Sequence, residues 1–151
     1  MEDCIFCQIV KGKEKCHKIW EDEKHLAFLS IFPNTLGVSV VITKAHYGSY
    51  VFDLPDEVLV DLILAVKTVT KLIDHKLEDV ARTGVVFEGF GVDHVHAKLF
   101  PLHGTRDLKK WKPIKSKVDK YFHKYQGYIS SHDYKREDDY ELSKIAKKIR
   151  E

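Results

Sequence analysis

The sequence predicts an α+β fold, in which one long helix accompanies an antiparallel sheet. Short β-rich segments precede a strongly periodic helical segment, and two further β-rich segments follow it. Strands that occur in such groups, rather than alternating with helices, are typical of antiparallel sheets. The chain has 151 residues, of which 44% are hydrophobic and 32% charged. This length and composition fit one globular domain, with or without a tail.

Three β-rich segments lie in the first third of the chain, at residues 19–20, 25–30 and 37–43. Pro33 and Asn34 are typical turn residues and lie between the last two segments. They therefore predict a turn that connects two neighbouring strands.

Residues 55–75 form the clearest predicted helix. Pro55 suits the first turn, and Asp56 and Glu57 lie beside the positive end of the helix dipole. Apolar residues then recur at helical spacing: Val58, Leu59, Leu62, Ile63, Val66, Val69, Leu72 and Ile73.

Two more strands are predicted at residues 84–88 and 92–100, joined by a short glycine-rich turn. A last helix is predicted from about residue 139 to residue 150, after a stretch of weak periodicity. We therefore expect one domain over residues 1–105 and a C-terminal extension over residues 106–151. The extension is expected to end in a helix and to pack on the same domain.

The C-terminal part of the chain is basic. Residues 109–151 carry 13 Lys and Arg against 7 Asp and Glu, whereas residues 1–108 carry 12 against 16. Because acidic residues are interleaved with the basic ones, the pattern favours a solvated face over a nucleic-acid surface. We expect no nucleic-acid partner.

Other features of the chain predict a cytoplasmic protein without a membrane partner. No apolar run approaches the roughly 20 residues that a membrane helix needs. The first residues show neither the basic nor the apolar region of a signal peptide. The three cysteines, an odd number, suit a reducing compartment better than a disulfide framework.

An unusual segment runs from His94 to Pro101. If it is a strand, alternation places His94, His96 and Lys98 on one face and the intervening apolar residues in the core. Three nitrogen-bearing side chains on one face are costly to bury. A site that meets an anion, a metal ion or both would explain them.

A second short motif lies near the N-terminus, where Cys4 and Cys7 form a CxxC pair. Such a pair supplies half of a tetrahedral zinc site. The alternative is that both are ordinary buried thiols.

Four signals therefore occur in chain order: the CxxC at residues 4–7, the turn at residues 31–37, a strand that ends at His46, and His94-Val95-His96 closing at Pro101. Together they resemble the histidine triad (HIT) superfamily of nucleotidyl hydrolases and transferases, over roughly residues 4–105. The resemblance implies a five-stranded antiparallel sheet with one long helix, and a homodimer. It also implies cleavage of a nucleotide at its α-phosphate through a nucleotidyl-histidine intermediate.

The resemblance assigns the catalytic residues. The middle histidine of the family motif is the nucleophile and corresponds to His96, and a neutral imidazole is competent near pH 7. Lys98 replaces the third histidine. A lysine cation can bind phosphate oxygens but is a poor acid for a leaving group near neutral pH. The alternative is a lysine that points into solvent.

The resemblance also implies a structural zinc ion. In members that carry the CxxC, the ligands correspond to Cys4, Cys7, His46 and His94. Such a closed set would tie the N-terminus to the catalytic strand and help to aim His96.

A nucleotide pocket follows by the same register. The apolar slot for the base would contain Phe6, Ile9, Phe28 and Ile31, although each of these is an equally good core residue. Ser30 stands where the family usually has an acid that binds the ribose hydroxyls, and it offers fewer hydrogen bonds. Gly89 and Gly91 would present backbone N–H groups to phosphate, whereas Glu88 and Asp93 would repel an anion if they faced it.

The leading hypothesis is a HIT-type hydrolase or nucleotidyl transferase that acts on a phosphoanhydride or a phosphoramidate. A nucleoside phosphoramidase and a dinucleoside polyphosphate hydrolase both fit this description. The family pattern is altered at Lys98, at Ser30 and in residues 88–93, the phosphate loop. These changes leave open the alternative that the protein is a nucleotide-binding or regulatory module with impaired turnover. A zinc-stabilised interaction module that uses its basic tail is the second alternative.

Overall fold

The computed structural model describes residues 3–106, 113, 117, 120–125 and 140. A short 3-10 turn at Val51–Asp53 precedes the long helix. The elements, in chain order, are α1 (Ile5–Val10), β1 (Lys18–Glu21), β2 (His25–Leu29), β3 (Ser39–Thr43), α2 (Asp56–Lys76), β4 (Thr83–Val86) and β5 (His96–Pro101).

The five strands form one antiparallel sheet in the order β1-β2-β3-β5-β4. The fold is therefore α+β, with a five-stranded antiparallel sheet and one long helix, and this prediction is confirmed. Within the described residues, β5 lies between β3 and β4, so the segment that carries the histidine motif is an interior strand of the sheet.

The two faces of the sheet have different partners. On one face, Ala97 and Leu99 of β5 pack with the buried side of α2, including Leu62 and Val69. On the other face, a second cluster contains Phe6 of α1 and residues of β2 and β3. Because side chains alternate along a strand, His96 and Lys98 point to the α1 side of the sheet.

The long helix begins and ends close to the predicted bounds. Pro55 immediately precedes its first residue, and Asp56 and Glu57 occupy its first turn. The face that packs on the sheet consists of Leu62, Ala65, Val66, Val69 and Ile73. Ile63 belonged to the predicted apolar face but is 44% exposed, because it lies at the margin of that face.

The predicted bounds of the last strand were wrong. The last strand was predicted over residues 92–100, but β5 begins at His96, so His94 precedes the strand. The His94 N–H donates to the carbonyl of Val92 and the Val95 N–H donates to the carbonyl of Tyr47. These bonds fold the segment against the loop after β3 instead of extending it along a neighbouring strand.

The sequence patterns also failed to predict α1. This helix has six residues, so it is too short to show a helical period, and it carries the CxxC motif. The predicted C-terminal helix from about residue 139 and most of the predicted extension lie outside the described residues.

Candidate functional site

His96 is the first residue of β5 and is only 3% exposed. Its Nδ1 donates a hydrogen bond of 2.7 Å to the backbone carbonyl of His94. This bond places the ring proton on Nδ1 and leaves the lone pair of Nε2 available. Burial lowers the pKa of His96, and the bond to the carbonyl opposes that shift. The imidazole is therefore neutral at pH 7, which is the form that attacks a phosphorus atom.

One aromatic ring packs against the imidazole of His96. The Phe6 ring lies 5.2 Å from it, centroid to centroid, in an edge-to-face arrangement. Phe6 in turn meets Phe28 at 5.7 Å. Ile9 packs against the same cluster. The structure therefore brings three of the four predicted base-slot residues together, next to the predicted nucleophile.

The other two residues of the predicted nucleoside pocket follow β2. Ile31 is 71% exposed and belongs to no described core cluster. Ser30 is half-buried, and its Oγ accepts a hydrogen bond of 3.2 Å from the Phe32 N–H. Its N–H donates to the Val38 carbonyl, so the strand pairing continues up to this residue.

Lys98 lies on the same face of the sheet as His96. Its side chain does not extend freely into solvent, because it is paired with an acidic residue. Its ammonium forms an ion pair with the carboxylate of Glu88, which lies two residues after β4. The Glu88 side chain is 11% exposed and that of Lys98 is 31% exposed. Val86 pairs with Lys98 across β4 and β5, and this register brings Glu88 close.

His94 is fully buried and uses both ring nitrogens. Its Nε2 donates a 2.8 Å hydrogen bond to the backbone carbonyl of Thr43, the last residue of β3. The proton is therefore on Nε2, and Nδ1 has a free lone pair. Nδ1 lies 3.4 Å from the Cys4 Sγ and 3.6 Å from the Cys7 Sγ.

The four predicted metal ligands lie together. The Nδ1 of His46 is 3.4 Å from the Cys7 Sγ, and the candidate ligand atoms of Cys4, Cys7, His46 and His94 all lie within 4.8 Å of one another. In tetrahedral zinc sites, bonds of about 2.3 Å to sulfur and about 2.0 Å to nitrogen place S and N about 3.5 Å apart. The observed S···N distances match this value, so the residues fit a tetrahedral ion.

The electrostatics of this cluster agree with its donor set. Burial raises the pKa of the Cys7 thiol, and Cys4 acts in the same direction. Burial also lowers the pKa of His94, which keeps its imidazole neutral. A neutral imidazole is a metal ligand, whereas a thiol becomes one by losing its proton when the ion binds.

The turn between β4 and β5 packs tightly on the loop after β3. Gly89 has a φ of +71°, and a Cβ there would lie 2.7 Å from the Ser49 carbonyl oxygen. Gly91 is exposed, and a Cβ there would meet nothing within 4 Å. Hydrogen bonds from Ser49 lower the pKa of Asp93, and the Ser49 N–H donates to its carboxylate at 2.9 Å. Both acids of the loop therefore have a partner within the protein: Lys98 for Glu88 and Ser49 for Asp93.

Two residues of the site have positions that the sequence patterns did not indicate. Thr43 sets the tautomer of His94 through its carbonyl, and no side-chain pattern signals a backbone acceptor. Glu88 was predicted to repel an anion if it faced one, but its contact with Lys98 depends on the β4–β5 register. The available signal in the sequence was a carboxylate, Glu88, two residues after β4, which could pair with a lysine on the neighbouring strand.

The antiparallel sheet, the long helix and the histidine pair at the start of β5 can now be compared with known proteins. The HIT domain family matches residues 11–105, and the chain belongs to that family. Cys4 and Cys7 lie before the matched residues, so their place in the site depends on the geometry described above.

Relatives of known sequence and structure agree with this membership. Adenosine 5′-monophosphoramidase hnt1 of Schizosaccharomyces pombe is 40% identical over 98 residues, which cover 65% of this chain and 73% of that protein. A crystal structure from Streptococcus mutans shares the fold, with a TM-score of 0.70 and 24% identity over 99% of this chain and 85% of that one. A zinc-bound histidine triad family protein of Mycobacterium smegmatis has a TM-score of 0.64 and 25% identity over 71% of this chain and 80% of that one.

The described part of the chain contains no helix that is long and apolar enough to span a membrane.

We predict that Gly89→Ala destabilises the protein, because Ala would have to keep a positive φ while its Cβ overlaps the Ser49 carbonyl. The expected loss in the free energy of unfolding is about 1–3 kcal/mol. Gly91→Ala is the matched control and should change it by less than about 0.5 kcal/mol. Urea unfolding of the two variants measures the difference, and equal midpoints would contradict the prediction.

Proposed function

We propose that the protein is a HIT-type nucleotide hydrolase or nucleotidyl transferase, with His96 as its nucleophile. The observation that carries this proposal is the hydrogen bond from His96 Nδ1 to the His94 carbonyl. It leaves a neutral nitrogen with a free lone pair beside the buried ring of Phe6. The name of the fission-yeast relative, an adenosine 5′-monophosphoramidase, supports hydrolysis of an adenylyl compound at its α-phosphate.

The proposed reaction has two displacement steps at the α-phosphorus. In the first, the Nε2 lone pair of His96 forms an N–P bond, and the bond from phosphorus to the leaving group breaks with its electron pair. In the second, water forms an O–P bond, the N–P bond breaks, and a proton goes to solvent. The products are the leaving group and a nucleoside monophosphate, and His96 is regenerated.

The remaining site residues have supporting roles in this proposal. The buried rings of Phe6 and Phe28, with Ile9, would hold the base, and Ser30 and Ile31 would border the nucleoside at the end of β2. Lys98 would bind phosphate oxygens. Backbone N–H groups at Gly89 and Gly91 would complete the phosphate contacts.

We predict that the wild-type protein releases AMP from adenosine 5′-phosphoramidate or from diadenosine tetraphosphate, and that His96→Ala does neither. Loss of the nucleophile should lower kcat at least 10²-fold, because it removes the covalent route. Circular dichroism and AMP binding by calorimetry test whether the variant is folded. His103→Ala, at a half-buried histidine bonded to Asp79, is the matched control and should keep turnover.

The same experiment separates the alternative functions. If the wild type binds AMP without turnover, the result would favour a nucleotide-binding or regulatory module. The hydrogen bond from His96 to the His94 carbonyl would then have only a structural role. Absence of any nucleotide binding would contradict the proposed function and favour an interaction module.

We also propose that zinc occupies the site of Cys4, Cys7, His46 and His94. Bound there, zinc would supply structural cross-linking between α1, the loop after β3 and the start of β5. His94 is thereby held at both ring nitrogens, and its carbonyl is the acceptor that orients His96. The named zinc content of the Mycobacterium relative supports this choice of metal.

We predict about one zinc ion per chain by elemental analysis of protein purified without chelator. Cys7→Ala should lose the ion and lower the melting temperature, because the ligand set falls to three. Cys16→Ala removes a half-buried cysteine outside the cluster and should keep both values. Equal zinc content in the two variants would contradict the assignment.

A homodimer is the proposed assembly, built on β4 and α2. The strand β4 lies at the edge of the sheet, and α2 contacts it. One stripe of α2 is apolar and exposed: Val60, Ile63 and Leu64 are 55%, 44% and 54% exposed. An edge strand and an exposed apolar stripe are both typical features of self-association surfaces.

We predict a solution mass of twice 17.5 kDa by light scattering. Leu64→Glu should shift the protein to a monomer, because a buried charge would oppose association. Leu36→Glu, at a leucine that is 73% exposed in a loop, should leave the mass unchanged. A wild-type monomer would contradict the assembly.

The cytoplasmic location and the role of residues 106–151 stay predictions.

A further inference from the structure

The ion pair of Lys98 and Glu88 is a feature of this site that the proposed reaction does not yet use. Both side chains are largely withdrawn from water, at 31% and 11% exposure. Lys98 lies two residues after His96, so both side chains project from the same face of β5. The two charges also act on His96 in opposite directions, since Lys98 lowers its pKa and Glu88 raises it.

The surrounding sheet limits where the Lys98 ammonium can go. Lys98 pairs with Val40 on β3 and with Val86 on β4, so its Cα has a strand on either side. Glu88 accepts from the ammonium at the end of the β4 strand. The ammonium is thus held near the phosphate loop, while two of its three N–H donors are left for phosphate oxygens.

The chemistry of this pair differs from that of a histidine at the same position. An imidazolium, with a reference pKa of about 6.5, is a much stronger acid than a lysine ammonium at about 10.4. Lysine is a fixed positive charge at neutral pH, so it stabilises negative charge on phosphate oxygens. It is correspondingly weaker as a donor of the proton that a poor leaving group needs.

Leaving groups differ in whether they need that proton. When a P–O bond to a phosphate or a nitrophenolate breaks, the oxygen departs with the electron pair as a stable anion. When a P–N bond breaks, the nitrogen must take up one proton to depart as a neutral amine.

Building on the proposed function, we propose that Lys98 acts as a charge clamp held in place by Glu88, and that this pair selects substrates whose leaving group departs as a stable oxyanion. Phosphoanhydrides belong to that class, whereas phosphoramidates do not. Lys98 touches the substrate phosphate in this scheme, and Glu88 is a positioning residue that acts through Lys98.

Two substrates that differ in one atom test the selection. They are the para-nitrophenyl ester and the para-nitroanilide of AMP, which share their ring and their adenylyl group. Lys98→His is expected to raise the kcat/KM ratio of anilide to ester by about tenfold or more, because an imidazolium supplies the missing proton. Lys98→Met is expected to lower kcat/KM for both substrates in the same proportion, because the variant loses only the positive charge that binds the phosphate oxygens.

The outcomes that overturn the selection are distinct from failure of the proposed function. An anilide-to-ester ratio in Lys98→His within twofold of wild type, or a selective loss of anilide cleavage in Lys98→Met, would show that lysine already serves as the acid. If wild type cleaves neither substrate, or His96→Ala cleaves both at the wild-type rate, the proposed function fails and the selection fails with it. Melting temperatures show whether each variant is folded.

A double-mutant comparison tests the positioning role of Glu88. Glu88→Gln keeps the size of the side chain and removes its charge, and we expect it to lower kcat at least fivefold with little change in KM. In a Lys98→Met background the same substitution is expected to change kcat less than twofold, because the ammonium that Glu88 positions is absent. Equal effects in the two backgrounds would overturn the role, and Glu88→Asp should recover part of the lost kcat.

Discussion

The site depends on one buried residue, His94, whose polar groups each orient a different part of the molecule. Its Nε2 donates to the Thr43 carbonyl and anchors the ring to the end of β3. Its Nδ1 faces the sulfur atoms of Cys4 and Cys7. Its backbone carbonyl accepts from His96. A buried imidazole without these partners would carry a large desolvation cost, so the surrounding loops are held to the positions that satisfy it.

The two faces of the sheet have different roles, since one packs in the main hydrophobic core and the other carries the proposed reactive residues. Ala97 and Leu99 of β5 face α2 in the main hydrophobic core, and the alternate residues His96 and Lys98 face α1. Because β5 lies inside the sheet, the strand that carries the proposed nucleophile is hydrogen-bonded to a strand on each side. Rigid placement of this kind is what a displacement reaction needs, because the attacking atom must meet phosphorus in line.

Both carboxylates near the proposed phosphate site have a hydrogen-bond partner within the protein. Glu88 is paired with Lys98 and Asp93 with Ser49, so neither carboxylate is left without a partner beside an incoming anion. The Lys98 ammonium offsets the repulsion that Glu88 would exert on phosphate, whereas Asp93 keeps its negative charge. The lysine in place of the third histidine is therefore part of a pair, and its chemistry cannot be read from the motif alone.

Periodicity in the chain was enough to predict the strands, the long helix α2 and the common face of His96 and Lys98, because these depend on residues close in sequence. The cluster of Cys4, Cys7, His46 and His94 was implied only by the family resemblance, since its members are up to 90 residues apart. The start of β5 at His96 instead of residue 92, the short helix α1 and the Lys98–Glu88 contact became visible only in the tertiary structure. The strand start and the Lys98–Glu88 contact depend on strand register and on hydrogen bonds between distant segments, which no local pattern encodes, whereas α1 is too short to show a helical period.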